Sequence, residues 1–141
     1  MNRSQAREWL FKLLYELEVQ KADPEEQIPL FIENYAITDP KVQEYIQNEV
    51  KGIQGNQQKI KEIISQNLKK DWSIERISKI NIALLKLAIY EMIYEKIPYK
   101  VIINEVVELA KEYGDDASHS FINGVLASVV KQNHLAEEES I

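Results

Sequence analysis

The chain has no cysteine, which excludes disulfides, thiolate metal centres and a cysteine nucleophile. Glycine and proline are scarce, with four of each in 141 residues, too few turn formers for a many-turned β fold. No apolar run approaches the ~20 residues that a membrane-spanning helix needs. Residues 1–16, MNRSQAREWLFKLLYE, carry acids and show no secretory cleavage pattern. A cytoplasmic protein without a membrane role is therefore expected. Histidine occurs only as His119 and His134, which limits any imidazole chemistry.

What remains is the composition of a globular domain, 45% apolar and 28% charged. The net charge of -6 at first argues against nucleic acid, which prefers a basic footprint. The distribution weakens that objection. Acids dominate residues 16–49, where only Lys21 and Lys41 oppose them. Bases dominate residues 59–86, through Lys59, Lys61, Lys69, Lys70, Arg76, Lys79 and Lys86, and Arg3, Arg7 and Lys12 add positive charge near the start. A local basic face is compatible with this arrangement.

Apolar residues recur at helical spacing throughout, so the expected class is all-α with six or seven helices. Ala6, Leu10, Leu13, Leu14 and Leu17 mark the first. Asp23-Pro24 and Asp39-Pro40 each read as an N-cap followed by proline at the first helical position. Gly52 and Gly55 bracket the expected stop of the third helix, and Asn56 is placed to cap a fourth. Ser73 is placed to cap a short turn over 74–78. The segment 79–95 is apolar nearly all round, which marks a central, buried helix ended by Pro98. Helices over 99–113 and about 117–133 follow, with Asp116 as the cap of the last. The seam falls at 69–73, giving one domain, 1–141, with sub-bundles of roughly 1–70 and 71–134 and a frayed tail over 135–141.

Chemistry-bearing patterns are few. Asp116 and His119 stand three apart, as helical metal ligands do, but lack partners, so no metal or other cofactor is expected. Glu105 and Glu108 share a turn without a matching second carboxylate unless Glu91 supplies it. Phosphate loops and nucleophile elbows are missing, so catalysis is not expected. Glu91, Asn104, Glu105, Asn123 and Gly124 read as residues that fix helix packing, with Gly124 allowing close approach of a neighbouring helix. Phe121, after a polar run, suits either the core or stacking on an unpaired base at the bundle edge. Arg3 and Arg7, four apart, share a helix face away from much of the leucine stripe; arginine's planar fork suits phosphates and base edges. On that reading, removing Arg7 spares the fold.

Several segments together resemble the transcription antitermination factor NusB family. They are Arg7-Glu8 leading to Leu14-Tyr15, Trp72-Ser-Ile-Glu-Arg76, Leu84-Leu-Lys-Leu-Ala-Ile-Tyr-Glu91, Ile97-Pro-Tyr-Lys-Val101, Ile103-Asn-Glu105, Glu108-Leu-Ala-Lys111, Tyr113-Gly114 and Phe121-Ile-Asn-Gly-Val-Leu126. The resemblance is dense from Trp72 onward and thin over about 19–70. It implies two packed three-helix bundles and a non-catalytic factor that binds boxA, a single-stranded RNA element of ribosomal RNA leaders. The implied protein partners are the ribosomal protein NusE and the RNA polymerase antitermination complex. By position it implies RNA contacts at Arg3, Arg7, Lys86 and Phe121, and NusE contacts at Tyr15 and Asn81. Relatives begin with three or four arginines where this chain offers two, commonly have an acid at 81, and often a lysine at Ser120. These departures imply fewer phosphate contacts and greater reliance on the partner protein. A homodimer that hides the helix 1 surface is open. The alternative that the resemblance allows is the RNA-binding domain of a ribosomal RNA cytosine methyltransferase.

Overall fold

The computed structural model describes residues 1–136, and the expectation for 137–141 lies outside the described residues. Seven α-helices form among them, and no strand: α1 Arg3–Gln20, α2 Pro24–Asn34, α3 Pro40–Gly55, α4 Gln57–Gln66, α5 Lys79–Ile89, α6 Tyr99–Tyr113 and α7 Ser118–Gln132. A 3-10 turn, Ile74–Arg76, leads into α5, and a π-helical turn, Tyr90–Tyr94, follows it. Helices α1, α2 and α3 pack on one another, as do α5, α6 and α7, and the α1–α5 contact joins the two sets. Helix α4 lies against α5 and α7 as well as α3.

The caps explain most boundaries. Asp23 and Asp39 accept from the backbone N–H of Glu25 and Lys41 at 3.2 and 2.9 Å, satisfying orphan donors at the starts of α2 and α3. Three expected caps differ. Ser73 precedes the Ile74–Arg76 turn without a side-chain capping bond, and Ser78 caps the central helix, accepting from Asn81 N at 3.2 Å. The Asn56 amide donates back to Gly52 O at 2.8 Å, closing α3 rather than capping α4. Ahead of α7 it is Asp115, not Asp116, whose carboxylate accepts from Ala117 N at 2.9 Å and from Ser118 Oγ at 3.1 Å. Leu135, expected in the frayed tail, is buried.

Every residue of α5 from Asn81 to Ile89 is buried, so this helix is the axis of the molecule, as its apolar circumference predicts. The helix does not simply continue to 95. Beyond Ile89 the ladder widens, with Glu95 N bonding to Tyr90 O at 3.3 Å, five residues back. Glu91 and Met92 are buried in this wide turn.

The glycines reverse their expected roles. Gly52 lies inside α3, and a Cβ there would fall 1.9 Å from the Tyr90 hydroxyl oxygen, so it is a close-approach glycine. Gly124 is exposed, and a Cβ there would meet nothing within 4 Å. Asn104 and Asn123 are likewise exposed rather than fixing helix packing. Gly52→Ala must displace Tyr90 from its 5.5 Å stack on Tyr94 and should cost about 1–3 kcal/mol in chemical denaturation. Gly124→Ala should instead gain up to about 1 kcal/mol, because the helix interior merely trades a flexible residue for a helix former. Equal effects of the two changes would contradict this packing.

Candidate nucleic-acid interface

The residues expected to meet RNA do not share one environment. Arg7 is turned into the core, with its side chain 4% exposed. Its Nε donates to Glu91 Oε1 at 2.6 Å, and its guanidinium lies 3.5 Å from Glu105 Oε1. Burial alone lowers the tendency of Arg7 to stay charged, but the Glu91 carboxylate outweighs it and raises its pKa. A guanidinium held this way is not offered to a phosphate, so Arg7 leaves the candidate RNA face. Lys86 leaves it too: it is buried on α5, and its ammonium is bound to Glu18 of α1. Periodicity misses both because burial of a charge depends on a partner distant in sequence.

Arg3 remains exposed at the start of α1, with its guanidinium 5.2 Å from the centre of the Tyr45 ring. Lys12 lies over the Trp9 and Tyr113 rings at 5.0 and 5.6 Å, so part of its charge is spent on aromatic faces. Tyr15 is 37% exposed further along α1, and Val19 beyond it is also open to solvent.

Phe121 is half-buried at the start of α7, and its ring centre lies 5.9 Å from that of Trp72, which is 50% exposed. The two rings divide neighbouring surface clefts. One runs past Lys69, Gly124 and Ser128; the other is lined by Arg76, Asn81 and Asp115. Asn81, in the first turn of α5, is buried and lines the Phe121 cleft, whereas Tyr15 is exposed on α1. Arg3 and Phe121 sit toward opposite ends of α5, since Arg3 lines a cleft with Glu95 and Phe121 one with Asn81. At 1.5 Å rise per residue that is a separation of roughly 20 Å. Trp72 and its basic neighbours were not singled out as binding residues, although the run Lys69-Lys70-Asp71-Trp72 carried the signal of a base–aromatic surface.

At the Arg3 end, carboxyl oxygens of Glu49, Glu91 and Glu95 lie within 4.8 Å of one another, the one grouping with metal-ligand spacing among the described residues; Asp116 and His119 are not in it. The Glu91 oxygens are already engaged. Glu91 receives Arg7 and, at 3.3 Å, the Tyr45 hydroxyl. Burial first, and then the carboxylates of Glu91 and Glu95, push Glu49 up to about 11. A neutral Glu49 has one proton to share with Glu91 or Glu95, while its Oε1 is buried without a hydrogen-bond partner.

The fold is thus a helical domain whose buried Arg7 and Lys86 are paired internally and whose Trp72 and Phe121 rings meet at the surface between Lys69 and Arg76. The comparisons narrow the class. A model described as the NusB family matches residues 4–131, and the chain belongs to that family. It is 48% identical over 132 residues to a protein named transcription antitermination protein NusB from Acetivibrio thermocellus, covering 93% of this chain and 90% of the relative. The like-named protein of Thermoanaerobacter sp. strain X514 is 41% identical, covering 99% and 98%. Among solved structures, NusB of T. maritima superposes with a TM-score of 0.84 at 34% identity, covering 97% of this chain and 98% of that one. A crystal structure of antitermination factors NusB and NusE in complex with dsRNA gives 0.84 at 27% identity, covering 94% and 99%.

Two predictions come from the buried network. Arg7→Ala strands Glu91 and should lower stability by about 3–5 kcal/mol in chemical denaturation; an unchanged midpoint would return Arg7 to the surface. Glu49 binds a proton in the native state that the unfolded chain releases near the ordinary value of 4.5. Its contribution is therefore fully present below that value and declines as pH rises toward about 11. The melting temperature of the parent relative to Glu49→Gln should fall steadily between about pH 5 and about pH 9, whereas a constant difference would place the proton elsewhere.

Proposed function

We propose that this chain is an RNA-binding transcription antitermination factor that engages boxA-type single-stranded RNA of ribosomal RNA leaders together with the ribosomal protein NusE, promoting read-through by RNA polymerase. The observation that carries the RNA part is the Trp72–Phe121 pair, two aromatic rings at the surface with Lys69 on one side and Arg76 on the other. Unpaired bases stack on such rings while cations follow the phosphates. The RNA-binding set becomes Phe121 and Trp72 with Lys69 and Arg76, and Arg3 meets the strand further along. Tyr15, exposed on α1, is the contact offered to NusE. The solved complex of NusB and NusE with RNA supports the joint assembly, since its NusB-like chain has this fold.

The methyltransferase alternative finds less support. The relatives named as antitermination proteins are covered over 90 and 100% of their own length, so the likeness is not to one domain of a longer enzyme.

Stacking contributes about 1–3 kcal/mol per base, so Phe121→Ala or Trp72→Ala should weaken boxA RNA binding roughly five- to 150-fold with little change in melting temperature. Arg3→Ala should reduce the salt slope of binding by about 1. Direct titration of boxA RNA, with and without NusE, measures both effects. Undiminished affinity in the two ring variants would overturn the proposed face.

A further inference from the structure

Helix α2 buries little of itself. Phe31 is its one buried residue, its ring 6.1 Å from that of Trp9 in α1 and 4.7 Å from that of Tyr35. Leu30 is 52% exposed, and Ile28 is half-buried. On the side toward α3 the two helices do not close, and a cleft of about 500 Å³ lies between them. Ile28 and Pro29 form one wall, and Val50 of α3 supplies apolar surface opposite. Clefts that hold ligands span roughly 300–1,000 Å³, so side chains of another molecule have room here.

Pro29 makes this cleft more than a packing gap. It stands inside α2, where a proline has no N–H to give and disfavours the helix. The Glu25 carbonyl, four residues earlier, therefore lacks its helical donor, and both residues line the cleft. A helix that keeps such a residue does so at a cost in stability, and departures from local rules gather at functional positions. The rim is acidic. Glu25 is exposed, and Asp23, also exposed, caps α2 with one carboxylate oxygen at 3.2 Å and has its second for the rim. Glu26 and Glu33 add negative charge along the same helix, against Lys51 across the cleft. Such a rim repels phosphates, so RNA is the wrong occupant.

We propose that the α2–α3 cleft is a docking site for a cationic amphipathic segment of a protein partner. Its apolar side chains fill the space between Ile28, Pro29 and Val50, and its Lys or Arg side chains meet Asp23, Glu25 and the open Glu25 carbonyl. Lysine and arginine only donate, which matches an acidic rim beside an unused backbone acceptor. Helices that dock in grooves place apolar anchors three and four residues apart, which sets the form of the segment. The cleft shares no residue with those assigned above to RNA and NusE, so it adds a third partner to the factor.

The test titrates the isotope-labelled full chain with a synthetic helix of leucines and lysines about 14 residues long, and with a twin carrying glutamate for lysine. Amide shifts in the chain should concentrate at residues 23–29 and 47–54 for the lysine peptide. The glutamate peptide should bind at least tenfold more weakly. Glu25→Lys should weaken the lysine peptide at least fivefold. Pro29→Ala, which returns an N–H to the Glu25 carbonyl, should also weaken it while raising the melting temperature, which separates docking from loss of fold. Both variants should bind boxA RNA and NusE as the parent does; a parallel loss would assign the cleft to those surfaces and overturn the proposal. Shifts centred outside the cleft, equal binding of the two peptides, or undiminished affinity in both variants overturns it as well. So do shifts at the cleft that grow with protein concentration in the absence of peptide, which would make a second copy of the chain the occupant.

Discussion

The contact between Arg7 of α1 and Glu91 in the π turn fixes the relation between the two halves of the molecule. An arginine and a carboxylate that are both removed from water attract strongly but lose hydration, so the pair persists only when the remaining donors and acceptors are also met. Here the Tyr45 hydroxyl serves Glu91, Glu105 lies beside Arg7, and Ser4 donates to Glu105 at 2.5 Å. Helices α1, α3 and α6 are thereby all referred to one point on the axis that runs through α5. The wide turn at Tyr90–Tyr94 places Glu91 at that point, and Gly52 admits the Tyr90 ring against α3. Much of what looks like available charge in the sequence is consumed in this way.

With one end of α5 occupied by paired charges, the open chemistry gathers at the other. There the chain entering α5 carries Trp72 and Arg76, and α7 begins with Phe121. Neither ring has to be buried to close the bundle, since Ile77, Ile122 and Val125 cover the apolar gap beneath. The surplus aromatic surface is what stacking on unpaired bases requires. Structural ion pairs and the proposed recognition surface are thus separated along a single helix.

The sequence discloses the helices because periodicity and the Asp-Pro starts are local signals, and α2 and α3 begin where those pairs place them. The central helix is legible for the same reason, whereas Phe121, open between core and edge in the sequence, is half-buried. Arg7 and Lys86 were misread as surface because their partners, Glu91 and Glu18, stand 84 and 68 residues away. Gly52 and Gly124 depart from their expected roles for a related reason: glycine's usefulness depends on what approaches it, and Tyr90 approaches Gly52 while nothing approaches Gly124. Trp72 was read as a family marker, and its closeness to Phe121 emerges only when the entry to α5 folds against the start of α7.

The bookkeeping of cations bears on how RNA would be held. Of the positive residues near the start of α1, Arg7 is locked to Glu91, Lys12 lies across two rings and Arg3, though exposed, lies over one. Lys86 on α5 is held by Glu18. Free cations beside the aromatic edge then reduce to a small set that includes Lys69 and Arg76, in a chain whose net charge is -6. Each phosphate neutralised contributes to salt dependence, so few contacts imply a shallow slope and a small electrostatic share of the affinity. Stacking and base-edge hydrogen bonds must then carry more of the binding, and these are the terms that distinguish one RNA sequence from another. A protein of this kind trades strength for selectivity, and a second protein that also grips the strand restores the strength. Under the proposed function, the burial of Arg7 and Lys86 is an argument for dependence on such a partner.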